Sequence, residues 1–358
     1  MKILTVHAEE FSIPLPRSFN GSNYTYTHKK CVFARATTNQ GVEGFCYLGD
    51  DFGLGQKISK MINEDFSKIL IGRNPDQVEE IWEDIRPFAR DILSDRRIAL
   101  HAQALSDILC WDLRAKAEGK SVVDLLGQKR SSASIMAISG YYRLQKTLAD
   151  LAQEVRELVE LGCSGMKLKV GGLTVDQDVE RVKVVRKSGG ENFILAVDAN
   201  QAWSLEESLK FANECQGLDL LWIEEPVHWD NDVKDLSLLR QRTKIPICAG
   251  QSEVTLAGIS RLIDAGSIDI CNLHPGYAGG ITPWLKSADL ARKNGLKIAN
   301  TGEPQLSASL MLASEHGMSV EIYHPDRDPF FPKHCLAFKQ RSEGQIKTTS
   351  LLGWGIKA

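Results

Sequence analysis

The chain has 358 residues, 43% of them hydrophobic and 25% charged, with a formal net charge of −3 and a pI near 6.3. That balance describes a globular protein able to bury a large core, its length suiting one barrel plus a smaller domain or two medium domains. Lys and Arg are interspersed with acids and no apolar run approaches a membrane span, so nucleic acid and membrane are not expected partners. The N-terminus turns polar at once and the eight cysteines form no CxxC pair. The expectation is a cytoplasmic protein with reduced, buried thiols, without zinc site or disulfide framework.

Residues 1–127 read as an α+β domain. Alternating segments at 3–8 and 31–37 predict antiparallel strands, separated by a polar, aromatic loop over 16–30. From 76 to 117 apolar residues recur at helical spacing. Beyond residue 127 the pattern changes to short apolar runs alternating with helical stretches, at 134–138, 165–170, 193–197, 220–223, 245–248, 268–272 and 296–299. This predicts a closed parallel α/β barrel over 128–322. An open doubly wound sheet would need a Gly-rich phosphate loop after its first strand, and Ile138-Ser139-Gly140-Tyr141-Tyr142 is not one. The tail, 323–358, is rich in Pro, Phe and Gly and is expected to fold back over the first domain.

Three acidic stations end three successive runs: Asp198 in Val197-Asp198-Ala199-Asn200-Gln201, Glu224 in Trp222-Ile223-Glu224-Glu225-Pro226, and Gln251 to Glu253 in Ala249-Gly250-Gln251-Ser252-Glu253. In a parallel barrel all strands end at one rim, so acids one βα unit apart become neighbours. Gathered carboxylates repel one another unless a hard cation joins them. One run earlier, Met166-Lys167-Leu168-Lys169-Val170 places two lysines on the same face of an apolar strand, where ammonium groups need a charge to meet.

With Lys167 and Lys169, Asp198-Ala199-Asn200, Glu224-Glu225-Pro226, the Gly279-Gly280 turn, and Ala104, Asp107, Trp111, Asp112 and Gly119 ahead of Leu125-Leu126-Gly127, the chain resembles the enolase superfamily of the mandelate racemase type over nearly its whole length. The resemblance implies a (β/α)7β modified TIM barrel with an N-terminal α+β capping domain, and Mg²⁺ bound at the ends of the third, fourth and fifth barrel strands. It also implies a homo-oligomer and a small-molecule carboxylate substrate. A Lys base paired with Mg²⁺ is the known pattern of this superfamily. Lys169 takes the place of that base and must be neutral to act, so Lys167 and the metal are expected to depress its pKa. Lys167 would stay charged and steady the enediolate.

Asp198 and Glu224 are the firmest metal-ligand candidates. The third is either the Gln251 amide oxygen or Glu253 after a local shift. Where the racemase type carries a His-Asp dyad, this chain has His274 and Thr301. Its absence favours dehydration of a polyhydroxylated sugar acid to a 2-keto-3-deoxy acid, with His274, Tyr141 or Tyr142 as the proton donor. A racemase, epimerase or cycloisomerase on a related carboxylate is the alternative, and a non-catalytic barrel that only binds a ligand is a third reading. Asn200, Tyr141, Glu303 and Tyr24 are candidate substrate contacts, Glu303 also as support for His274. The Gly-rich segments 19–26 and 48–55 read as loops covering the rim, and 324–329 could add charge to the pocket.

Overall fold

The structure, a computed structural model, describes residues 1–49, 52–335, 342–347 and 351–357. Strands β1 (Ile3–Asn20), β2 (Thr25–Thr38) and β3 (Glu43–Gly49) form an antiparallel sheet in that order. The segment over 16–30, expected as a loop, is mostly strand. After an irregularity between Pro14 and Phe19 the ladder resumes with Phe19 opposite Tyr26 and Asn20 opposite Thr25. Aromatic and β-branched side chains suit a half-buried ladder, and only the turn Gly21–Tyr24, closed by a 2.9 Å backbone bond, interrupts it. The hairpin tip reaches the barrel, where the Tyr142 N–H donates to the Asn20 carbonyl at 2.8 Å.

The helical stretch over 76–117 is broken where Pro87 and a turn at 91–95 interrupt it, giving helices Val78–Ile85, Pro87–Arg90 and Arg96–Ala117. The last is 22 residues long, starts at an Asp95 cap and buries most of its length, because it is packed between the three-stranded sheet and the barrel. Asp107 on this helix accepts from the backbone N–H groups of Ile281 (2.6 Å) and Thr282 (3.0 Å). It thereby caps the barrel helix Ile281–Lys293 from outside. A Cβ on Gly280 would lie 2.5 Å from Asp107 Oδ2, and Gly280 has φ +124°, so only glycine permits this approach.

The second half is a ring of eight parallel strands: β4 (Ser132–Ser139), β5 (Gly165–Lys169), β6 (Ile194–Asp198), β7 (Ile223–Glu224), β8 (Ile247–Ala249), β9 (Ile270–Leu273), β10 (Lys297–Asn300) and β11 (Val320–Tyr323). Neighbours in sequence are neighbours in the sheet, and β11 pairs back on β4. Between β10 and β11 the ring is joined where the Ile298 N–H donates to the His316 carbonyl and the Met318 N–H donates to the Ile298 carbonyl. Its eighth strand, Val320–Tyr323, carries the one run that hydropathy did not separate. Met136, Ala196, Trp222, Cys248, Ile270 and Ala299 fill the interior as one buried cluster. Because strand side chains alternate with period two, the residues two places on from Ala196, Trp222 and Ala299 face the same interior one layer higher: Asp198, Glu224 and Thr301.

The tail touches both halves. A short strand β12 (Gln345–Lys347) pairs antiparallel with the start of β4, while the Trp354 N–H donates to Asp112 and its indole to the Ile108 carbonyl, both 3.0 Å. All eight cysteines are buried and none is in a disulfide, and among the described residues no helix is long and apolar enough to cross a membrane.

Candidate active site

The rim at the C-terminal ends of the strands holds a buried charge network. Lys167, fully buried on β5, donates to both oxygens of Glu224 (2.8 and 2.9 Å) and to the Thr301 hydroxyl (3.2 Å). It also lies 2.7 Å from Glu321 and 4.0 Å from Asp198. Burial alone would lower its pKa, but Glu224, Glu321 and Asp198 together raise it well above the ordinary value, so Lys167 is held as a cation. Glu321 was missed in the sequence. Its signal was a lone acid in the apolar run Val320-Glu321-Ile322, pointing inward at the eighth strand.

Lys169 Nζ lies 2.6 Å from Asp198 Oδ2 and 2.9 Å from Asn200 Oδ1. The rings of Tyr24 and Tyr141 flank it at 5.7 and 5.9 Å, and the Tyr24 hydroxyl donates to the same Asn200 oxygen at 3.0 Å. The protein's own groups by themselves shift this residue opposite to the depression expected from Lys167 and a metal together. Burial pushes Lys169 down, yet Asp198 and the two tyrosines outweigh it and the net shift is strongly upward. Lys167 has spent its charge on Glu224 and Glu321, so it does not oppose protonation of its neighbour enough to matter. Lys169 can take a proton only once Asp198 is engaged elsewhere.

Four of the seven described non-glycine residues with positive φ lie on this rim: Asn200, Gln201, Glu225 and Glu303. Each such residue stores on the order of 1 kcal/mol or more and persists where surrounding contacts impose it. For Asn200 the imposing contact is its N–H to Asp198 Oδ1 (2.9 Å), and for Gln201 its N–H to the Glu225 carbonyl (2.7 Å).

At the third station Gln251 lines the cavity and its amide nitrogen donates to Glu225 at 2.8 Å. The Ser252 hydroxyl also donates to Glu225 at 2.8 Å. Burial, reinforced by the Asp198 charge, pushes the Glu225 carboxyl up to about 7. Glu253 is not brought in. It turns outward to Arg261, 3.6 Å away, against the start of helix Leu256–Asp264. Among the described residues no three His, Cys, Asp or Glu side chains form a metal-ligand group. The fit to a hard cation rests instead on Asp198 and Glu224, paired in register on adjacent strands and both buried, plus the amide oxygen of Gln251. With Glu225 and Glu321 the rim gathers four carboxyl groups near two lysines, an oxygen-rich set suited to a divalent ion.

Across the ring stands His274. β5 and β9 are four places apart in a ring of eight, so the residue following β9 faces Lys169 over the cavity. Its Nδ1 accepts from the Tyr277 N–H at 3.3 Å and its ring stacks on Tyr277 at 3.8 Å. An accepting Nδ1 leaves the proton on Nε2. Nε2 is directed to Gly302, where a Cβ would approach within 3.1 Å.

Two further candidates are displaced. Glu303 faces the cap, accepting from the Gly49 N–H (2.9 Å) and from Gln305 (2.6 Å), because its positive φ turns it away from the cavity. It joins cap to barrel and is not among the residues that line the cavity. Tyr142 is tied to Asp178 at 2.6 Å outside the rim, whereas Tyr141 and Tyr24 line the cavity. In the 48–55 segment, Asp50 and Asp51 lie outside the described residues, and Phe52 lines the cavity. The cavity itself measures about 440 Å³, the size of a small-molecule site.

Comparison with known proteins agrees with this geometry. Residues 150–358 match the "Enolase C-terminal domain-like" family and residues 4–127 the "Mandelate racemase / muconate lactonizing enzyme, N-terminal domain" family. The chain is 30% identical over 279 residues to L-talarate/galactarate dehydratase of Salmonella typhimurium, covering 78% of this chain and 69% of that one. It is 26% identical over 319 residues to 3,6-anhydro-alpha-L-galactonate cycloisomerase of Streptomyces coelicolor, covering 89% and 87%. The crystal structure of a mandelate racemase/muconate lactonizing enzyme from a marine actinobacterium in complex with magnesium superposes with a TM-score of 0.92 at 31% identity, over 99% of this chain and 96% of that one. A barrel rim of inward lysines and paired carboxylates under an α+β cap, with both halves matched, makes this chain a member of the enolase superfamily, of the mandelate racemase/muconate lactonizing enzyme type.

Proposed function

We propose that the protein is a Mg²⁺-dependent dehydratase of polyhydroxylated sugar acids, forming a 2-keto-3-deoxy acid. The observation that carries this reading is the placement of Lys169 on one face of the cavity and a single imidazole, His274, on the other, with Thr301 where a dyad would need a second group. Dehydration needs a base for the α-proton and an acid for the departing β-hydroxyl, whereas racemisation needs a base on each face. The two kinds of relative, a dehydratase and a cycloisomerase, leave the reaction between lyase and isomerase.

Lys169 Nζ takes the α-proton and the C–H electron pair passes onto the carboxylate as an enediolate; that pair then returns to form the new double bond as the β-carbon–oxygen bond breaks. His274, having taken up a proton to become the imidazolium, gives the Nε2 proton to the hydroxyl, which leaves as water while the ring returns to neutral imidazole, and the enol then tautomerises to the ketone. Lys167, locked as a cation, offsets the second negative charge that proton loss puts on the carboxylate. Tyr24 and Asn200 orient Lys169, and the hairpin tip bearing Tyr24 covers the site against water. Mg²⁺ held by Asp198, Glu224 and the Gln251 amide oxygen would supply a Lewis acid for that same charge.

The test is a panel of aldonic and aldaric acids incubated with the protein and Mg²⁺, with 2-keto-3-deoxy products detected as semicarbazones. A keto product supports the dehydratase. An isomerase is favoured instead if, in D₂O, recovered substrate carries deuterium and no keto product forms, with His274 returning the proton from the far face.

A further inference from the structure

We propose that Arg327 selects dicarboxylic acids, receiving a second carboxylate at the end of the substrate remote from the carbon that loses its proton. The inference rests on the sugar-acid reading above and deepens it.

Arg327 follows β11 in a loop stitched to the cap on both sides. Asp326 pairs with Arg17 of β1 at 3.5 Å, and Asp328 pairs with Lys29 of β2 at 3.0 Å, a contact buried at both ends. Between these two outward acids Arg327 turns into the cavity and is only 3% exposed. Its guanidinium lies 3.7 Å from the centroid of the Tyr26 ring and 5.2 Å from that of Tyr323. Stacking fixes the plane of the guanidinium, so its N–H edges are set before a ligand arrives and less freedom is lost when one binds. A planar fork held in this way matches the two oxygens of a carboxylate, where a lysine would offer only a point charge.

Position supplies the second argument. Tyr26 packs on Tyr24 at 5.1 Å, and Tyr24 touches Asn200 and flanks Lys169. One wall of the cavity therefore runs from the proton-abstracting end, through Tyr24 and Tyr26, to Arg327. A chain acid with a carboxylate at each end meets a cationic group at each end of that wall. An acid ending in a primary alcohol leaves the Arg327 end without its anion.

The experiment compares a six-carbon aldaric acid with the aldonic acid of the same stereochemistry, using native protein, Arg327→Gln and Arg327→Lys, with Mg²⁺ throughout. The expected result is a higher kcat/KM for the diacid in the native protein, and a diacid-to-monoacid ratio that falls on the order of 100-fold in Arg327→Gln. Arg327→Lys, which keeps charge but loses the fork, should fall between them and also guards against a misfolded glutamine variant. Calorimetric binding of both acids runs alongside. Diacid binding that is lost in Arg327→Gln, without turnover of either acid, supports the subsite while sinking the dehydratase. A native preference for the monoacid, or an unchanged ratio in a folded Arg327→Gln, overturns the assignment.

Discussion

Lys169 Nζ and Asp198 Oδ2 are 2.6 Å apart, with both side chains buried. The pair explains why Lys169, the proposed base, is strongly held as a cation. Replacing Lys169 by Ala should lower kcat by about 1,000-fold, within the range of a lost general base, and should abolish exchange of the substrate α-proton with D₂O. A variant that keeps native exchange would show that another group removes the proton.

The ligand set predicts a graded response to changes at the third station. Chelation should eliminate turnover, and Mg²⁺ affinity measured by calorimetry should rise in Gln251→Glu, which adds the missing carboxylate, and fall in Gln251→Ala. Glu253→Gln should leave affinity within about twofold, since Glu253 faces Arg261. The opposite ranking, with Glu253→Gln the damaging change, would mean that the loop rearranges around the metal.

His274 separates the two halves of the proposed reaction. His274→Phe preserves a stacking ring against Tyr277 but has no proton to give, so keto-acid formation should drop about 100-fold or more while α-deuterium exchange continues. Loss of both signals in equal measure would argue that His274 only shapes the cavity.

Much of the site was legible because strand ends share one rim: Asp198, Glu224 and the two lysines follow from alternation and βα spacing alone. The miscast residues depend on backbone turns that spacing does not encode. Glu303 follows β10 closely enough to look like a rim acid, but its left-handed φ sends it to Gly49 of the cap. Glu253 sits two residues beyond Gln251 and the intervening turn faces it outward. Glu321 was hidden for the opposite reason, since its four-residue strand is too short to stand out in hydropathy. The segment at 16–30 carries polar and aromatic residues that fit either a loop or a ladder, and only pairing with β1 decides between them.

The contact between cap and barrel at Asp107 gives a pH prediction. Burial outweighs three donors, from Ile281 and Thr282, and pushes this carboxyl up to about 7, against about 3.9 in an unfolded chain. A carboxyl with a raised folded pKa binds its proton more tightly in the folded state. Its contribution to stability is therefore most favourable below about pH 4 and is lost as pH rises through about 7, a swing on the order of 4 kcal/mol. Asp107→Asn removes that titration whatever else it costs. The stability difference between native protein and variant, from urea unfolding at pH 4 to 8, should shrink across that window as the native protein loses its advantage. A difference that stays constant with pH would mean that Asp107 is as ionised folded as unfolded, with the Ile281 and Thr282 donors prevailing over burial.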